Sequence, residues 1–282
     1  MMHTVIHPGP VRDTRMDLAP CNGRTIEVTL AAGMPLEDAV AQALAPLELD
    51  SAWLEITNAD VENLSYVIPA EAPDDAHVAW YSNKHDFAKG RIDHLGIIVG
   101  RHGDASFLHG HGTWTSQSGP QTMGHIIAPQ TYLAAPVTIR GIGLVGARFD
   151  RRADEETNFD LFHVDQLAPV SGAYAALRLL PNQDFATGLD DACAALGWPA
   201  ARVHGIGSVN TARFENGQVL NSLPTEFLIT DAIAGNGGPN TKSGPEVVIV
   251  GTDGTKILSG RLSCGENAVL VTAEVVLSRL NA

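Results

Sequence analysis

Cysteine is scarce. Three cysteines stand in 282 residues, Cys21, Cys193 and Cys264, far apart and with no CxxC pair. An odd, sparse count argues against a disulfide framework and for a reducing compartment. Long apolar runs are missing as well, and none approaches the roughly eighteen residues of a membrane span. The opening MMHTVIHPGPVRDTRMD has no apolar segment, and two prolines with a glycine rule out a signal helix there. Basic residues are outnumbered 18 to 32, for a net charge of −14. The deficit is shared, since residues 1–150 carry 9 basic and 17 acidic groups. Nucleic acids and anionic membranes both call for clustered Lys and Arg, so neither half suits them. GxxxxGK and GxSxG are also absent, which leaves P-loop and nucleophile-elbow chemistry without a motif. The expectation is a soluble, cytoplasmic protein.

What is present is a pattern that occurs twice. Residues 24–30, RTIEVTL, alternate as a strand, and after Gly33 an apolar face recurs at Leu36, Val40, Ala43 and Leu47. That spacing is helical, and Pro35 suits a first turn. A strand follows at 52–56. The second occurrence starts near Ala175, where AALRLL reads as a strand. Phe185, Leu189, Ala192 and Leu196 then repeat the helical spacing, each 149 positions after its counterpart. Another strand spans 201–206, and late strands correspond too, 91–99 with 225–233 and 135–143 with 268–276. An offset shared by strand, helix and strand indicates duplication. The predicted organisation is an extended arm at 1–23, bent by His7-Pro8-Gly9-Pro10, and a first domain at 24–147. A connector at 148–174, packing through Phe159, Leu161 and Phe162, leads to a second domain at 175–282. Polar or Gly-rich stretches at 70–75 and 235–244 read as mobile loops.

Of eleven histidines, most fall singly in loops, strand ends or the connector: His3, His7, His77, His85, His102, His163 and His204. Solvated or hydrogen-bonded roles suit them. The exception is FLHGHGTW at 107–114 followed by MGHI at 123–126. In a strand His109 and His111 share a face, because side chains alternate with period two. Residues 116–121, with Gly119-Pro120, can turn the chain back so that His125 lies across from His109 or His111, about 5 Å away between Cβ atoms. Three converging imidazoles match a zinc site with three protein ligands and an open position. The flanking glycines are expected to leave room for the rings, the metal and an added ligand. The plain alternative is a surface or core pair of histidines with a third nearby by chance. A cupin site also begins with HxH, but the carboxylate it adds a few residues later is missing around Trp114 and Thr115.

FLHGHG, MGHI and APVTIRGIG in the first occurrence resemble the PPC (plants and prokaryotes conserved) domain. So do LRLLPNQDFATGLDDACAALGWPAARVHGIGSV and GRLSCGENAVLVTAEVVL in the second. Together they cover most of 24–145 and 175–280. The resemblance implies an α+β fold of two tandem PPC-like domains, each an antiparallel-rich sheet with one or two packed helices. It also implies trimeric assembly and metal binding by His109, His111 and His125. In the second occurrence PEVVIVG and SGRL place Glu246, Val248 and Arg261 at the three histidine positions. That copy is expected to hold no zinc, with Glu246 and Arg261 paired instead. The basic AT-hook tract of the plant members is absent, so their DNA role does not carry over.

These readings predict a protein that binds Zn²⁺ or another divalent metal and acts as a metal-dependent hydrolase or lyase on a small organic acid. The alternative is a small-molecule-sensing or regulatory binding protein, in one version associated with nucleic acid. A purely structural zinc is disfavoured because such sites usually have four protein ligands. No general acid or base can be assigned; Asp93 and Glu62 are nominal candidates. Arg15, beside Arg12 in the stiffened arm, is the candidate for substrate binding. Expected partners are a small-molecule ligand and further copies of the chain, with no membrane and no nucleic acid.

Overall fold

The structure is a computed structural model and describes residues 2–235 and 244–280. Its first half runs β1 (Met16–Leu30), α1 (Leu36–Leu44), β2 (Ser51–Val67), β3 (His85–His102), β4 (Ala105–Ser116), β5 (Gln121–Ile126) and β6 (Val137–Val145). A hairpin follows, β7 (Ala147–Ala153) and β8 (Asp160–Gln166), inside the stretch read as a connector. The second half runs β9 (Tyr174–Leu179), α2 (Phe185–Leu196), β10 (Ala201–Val209), β11 (Glu226–Asp231), β12 (Glu246–Val250), β13 (Leu258–Arg261) and β14 (Val269–Arg279). The result is sheet-rich, with two α-helices among the described residues. Neither is long and apolar enough to cross a membrane.

Antiparallel ladders join the first half in the order β1–β6–β2–β3–β4–β5. The second half follows the same order, β9–β14–β10–β11–β12–β13. In each, one helix follows the first strand. The first half goes further and closes a ring, because the end of β2 also pairs with β5 through Tyr66 opposite Ile126 and Val67 opposite His125.

Both helices form where the apolar spacing placed them. Asp184 caps α2 by accepting the Thr187 N–H at 2.9 Å, and Gly197 ends the helix at φ +66°. Pro35 is the cap residue of α1, one position ahead of the first turn. Leu36, Ala39, Val40 and Leu44 pack on Ile26, Val28 and Leu30; Phe185, Leu189, Ala192 and Cys193 pack on Leu177 and Leu179. Ala43 and Leu47 are half-buried at the margin. Burial pushes the Cys193 thiol up to about 11 and the Cys21 thiol up to about 12, so both stay protonated core groups.

Two features were not visible in the sequence. Strand structure begins at Met16, within the stretch read as an arm, and β1 is shared: residues 16–21 lie beside β9, residues 22–30 beside β6. A third core then fills the seam between the halves, with Trp53, Ile98 and Met123 from the first against Ile206, Leu228 and Val276 from the second. At roughly 1.5–3 kcal/mol per large apolar side chain buried, this seam fixes the two sheets face to face. The arm itself is tied down by Val5 and Asn182, which exchange hydrogen bonds of 2.9 and 2.8 Å, and by His7 Nε2 donating to the Leu270 carbonyl at 2.8 Å. Of the two predicted loops, 70–75 continues a short ladder between Pro69–Ala70 and Trp80–Tyr81, while 236–243 lies outside the described residues.

Candidate metal centre

The HGHG stretch lies in β4 as an alternating strand. Leu108, Gly110, Gly112 and Trp114 take one face, Leu108 and Trp114 inside the first core, and His109 and His111 take the other. The glycines therefore do not make room for a metal, contrary to the expectation drawn from their position in the motif. They let strands approach on the opposite face: a Cβ on Gly112 would lie 2.5 Å from the His94 carbonyl oxygen, and one on Gly124 2.3 Å from that of Val67. The turn after Ser116 brings β5 back antiparallel, with His125 directly opposite His111. His109, His111 and His125 each offer a ligand atom, and these atoms lie within 4.8 Å of one another. Among the described residues no other trio of His, Cys, Asp or Glu comes together in this way.

The tautomers follow from the partners. His111 Nδ1 donates to the Phe227 carbonyl at 3.0 Å, and His109 Nδ1 donates to Glu274 Oε2 at 2.5 Å. The two Nε2 atoms face each other at 3.2 Å, and in the neutral tautomers both carry lone pairs. Two nitrogens about 2.05 Å from one tetrahedral zinc would be roughly 3.3 Å apart, so the spacing fits two ligands of a single ion. The third ring stands 4.9 Å from His109 and 5.5 Å from His111 between centroids, with the Tyr81 hydroxyl 3.4 Å from its Nδ1. Burial, with His109 adding to it, holds the His111 and His125 pKa values well below the ordinary imidazole range. Neutral imidazole is the form a metal binds.

The residues that orient and flank the histidines come from the second half, and sequence reasoning missed them. Glu274 sits on β14, and Glu226 and Phe227 sit on β11. Glu226 Oε1 is 3.7 Å from His111 Nε2, and burial pushes its carboxyl up to about 8. Glu226 Oε2, Glu274 Oε1 and Thr272 Oγ1 are buried with no hydrogen-bond partner. A signal for them existed: a lone carboxylate inside apolar strands such as AVLVTAEVVL is out of place unless something uses it. A cavity of about 60 Å³ opens beside His109 and His111, between Tyr81, Phe159, Glu226 and Thr272. That is enough for several water molecules or one small group.

The other candidates lie elsewhere. Asp93 is spent on Arg91, Thr115 and Gln121 at 2.9, 2.7 and 2.9 Å, and Glu62 is exposed; neither lines the cavity. Among the described residues Glu226 is the carboxylate that lines it. Arg15 grips Glu156 with both nitrogens, at 2.7 and 2.8 Å, and donates to the Pro181 and Arg12 carbonyls. Glu246 and Arg261 face each other across β12 and β13 and pair at 3.2 Å, as expected, with Asp231 as a second carboxylate on Arg261. Val248 lies opposite Ser259.

No family model and no curated protein matches the chain. Solved structures similar to it include a plant- and prokaryote-conserved (PPC) protein of Pyrococcus horikoshii, 13% identical over 55% of this chain and 97% of that one, with a TM-score of 0.36. A metal-containing protein of Archaeoglobus fulgidus is 18% identical over 49% and 92%, with a TM-score of 0.38. A protein of Ralstonia eutropha described as a candidate DNA-binding protein is 13% identical over 49% and 90%, with a TM-score of 0.37. The family named from the HGHG and MGHI motifs is thus met among similar structures, each spanning about half of this chain.

Proposed function

We propose that the chain is two tandem PPC-like domains, at 24–147 and 175–282, and that the first carries one divalent metal, Zn²⁺, on His109, His111 and His125. The repeated strand order supports the duplication. One observation carries the metal: two imidazoles whose Nδ1 atoms are already engaged by Glu274 and the Phe227 carbonyl turn their Nε2 atoms toward each other at 3.2 Å. Without a cation or a proton between them, the lone pairs on those atoms repel.

On this reading the protein is a metal-dependent enzyme of hydrolase or lyase type acting on a small molecule. A bound zinc would supply a Lewis acid and a water of lowered pKa. The chain's own residues do the rest. Glu274 fixes the His109 tautomer, and the Phe227 carbonyl fixes that of His111. Glu226, 3.7 Å from His111 Nε2, stands where it can take up or give back a proton beside the open position. Tyr81 and Phe159 narrow the entrance. The second half thus serves the site of the first rather than carrying one of its own. The test is turnover of lactones, amides and unsaturated carboxylates by zinc-loaded protein, with chelator-treated protein as control. If nothing is converted while a ligand binds at the histidines, the sensing or regulatory reading replaces this one.

We place the protein in the cytoplasm as a homo-oligomer, a trimer on the PPC resemblance, without a membrane or nucleic-acid partner. The net charge of −14 supports the last point. Arg15, engaged by Glu156, holds the arm in place in this reading, and any substrate role for it would require that pair to open.

A further inference from the structure

The segment 69–81 covers the histidines without belonging to the sheet that carries them. It leaves the end of β2 and returns through a ladder of its own, with Pro69 opposite Tyr81 and Ala70 opposite Trp80. Its base is pinned, since the Ile68 N–H donates to Ser82 Oγ at 3.1 Å and the Ser82 N–H to the Ile68 carbonyl at 3.0 Å. Its tip rests on the turn between β7 and β8. Asn158 Nδ2 donates to the Ala76 carbonyl at 3.3 Å and stands 3.4 Å from His77 Nε2. The His77 and Trp80 rings pack on Phe159, with centroids 5.1 and 5.7 Å from its own. Resting on the reading of the cavity beside His109 and His111 as the functional site, we propose that 69–81 is a lid. His77 and Asn158 latch its tip, and its opening admits small molecules to the histidines.

Size makes a moving wall necessary. The cavity of about 60 Å³ holds water or one small group, whereas sites for organic molecules run to roughly 300–1,000 Å³. The other walls are strands held in ladders: His109 and His111 in β4, Gly207 in β10, Glu226 in β11 and Thr272 in β14. Moving any of them breaks a ladder and opens an apolar core. Lifting the tip of 69–81 costs two long hydrogen bonds and the ring contacts with Phe159, and such thinly held segments open first. The motion would part Trp80 from Phe159, which line the cavity from two different elements. It would also withdraw Tyr81, whose ring lies 5.2 Å from that of His125, and so uncover the third imidazole.

The test is the rate at which diethyl pyrocarbonate, which acylates neutral imidazole, modifies His109 and His111 in the metal-free chain. Mass spectrometry of the digested protein reads it peptide by peptide. His77→Ala and Asn158→Gly each weaken the latch, and neither residue lines the cavity. Glycine also suits the φ of +61° at position 158. Each substitution should raise the rate about fivefold, the effect of losing one hydrogen bond of ordinary net strength from the closed form. His7, buried outside the cavity, serves as the control and should keep its rate. A rise confined to His109 and His111 in either variant supports the lid. Its absence from both, whether labelling stays unchanged or His7 follows it, overturns the proposal. Zinc content, measured separately on each protein, decides the metal reading, and the labelling decides the lid without any metal.

Discussion

Glu274 Oε2 accepts the Nδ1–H of His109 at 2.5 Å across 165 residues of sequence. The carboxylate comes from the last strand of the second half and the imidazole from the fourth strand of the first. A histidine ligand held this way has its tautomer and ring orientation set before metal arrives, and its free nitrogen is more basic. Zinc affinity should therefore depend on a residue that never touches the ion. Glu274→Ala is expected to lower it about 10–100-fold, and Glu274→Gln, which keeps a neutral acceptor, by less. Competition with a chromophoric chelator measures both. Unchanged affinity in the Ala variant would remove Glu274 from the site.

Close strand approach on the far side of β4 is the second requirement. Gly112→Ala puts a methyl 2.5 Å from the His94 carbonyl oxygen, which must move with its strand. We expect a loss of about 1–3 kcal/mol in stability, together with weaker zinc retention although all three histidines remain. Urea titration and metal analysis of the one variant check the two halves of this expectation.

The β7–β8 hairpin is locked to the second sheet by a buried ion pair. Arg178 is fully buried and donates to Asp154 Oδ2 at 2.8 Å, while Asp154 Oδ1 accepts from the Thr157 N–H and hydroxyl at 2.9 and 2.8 Å. Arg178→Ala should cost about 3–5 kcal/mol, because it strands a carboxylate in the core. The double variant Arg178→Met with Asp154→Ala should be less damaging than the single one. A single variant as stable as the parent in urea would show the network to be dispensable.

Acid should loosen the metal-free protein earlier than carboxylate chemistry alone would. Burial holds His7 and His204 below the ordinary value of 6.5, and His163 likewise, with Arg178 and Arg152 adding to the effect. The unfolded chain binds these protons more readily than the fold does. Their contribution is fully present above about pH 6.5 and shrinks as pH falls below it toward the folded values. The melting temperature should fall between about pH 7.5 and 5.5, with the buried Glu226 carboxyl, which keeps its proton in the fold, offsetting part of the loss. A flat profile over that window would contradict it. For His7 the cause is visible in its contacts: Nε2 already donates to Leu270, and protonation would place a second N–H at Nδ1, buried without an acceptor.

Much of this architecture was legible in the residues. The 149-residue offset located both helices and the strands around them, because burial of one face imposes its period on the sequence. The HxH spacing and the turn at Gly119-Pro120 put three imidazoles together for the same local reason. What could not be read was non-local. Nothing near His109 announces Glu274, and nothing in β11 announces that Glu226 will face His111. Such pairings depend on how two sheets meet, and the seam is packed by ordinary apolar residues such as Trp53 and Leu228. The shared strand β1 was hidden in the same way, since its two registers differ only in which neighbour lies alongside.

The central claim is a single metal held by three imidazoles, and the most direct test is elemental analysis of protein purified without an affinity tag. About one equivalent of zinc per chain is predicted, falling to near zero in the variant carrying His109→Ala, His111→Ala and His125→Ala together. Circular dichroism of that variant shows whether the sheets still form. A folded triple variant that retains a full equivalent of metal would contradict the account.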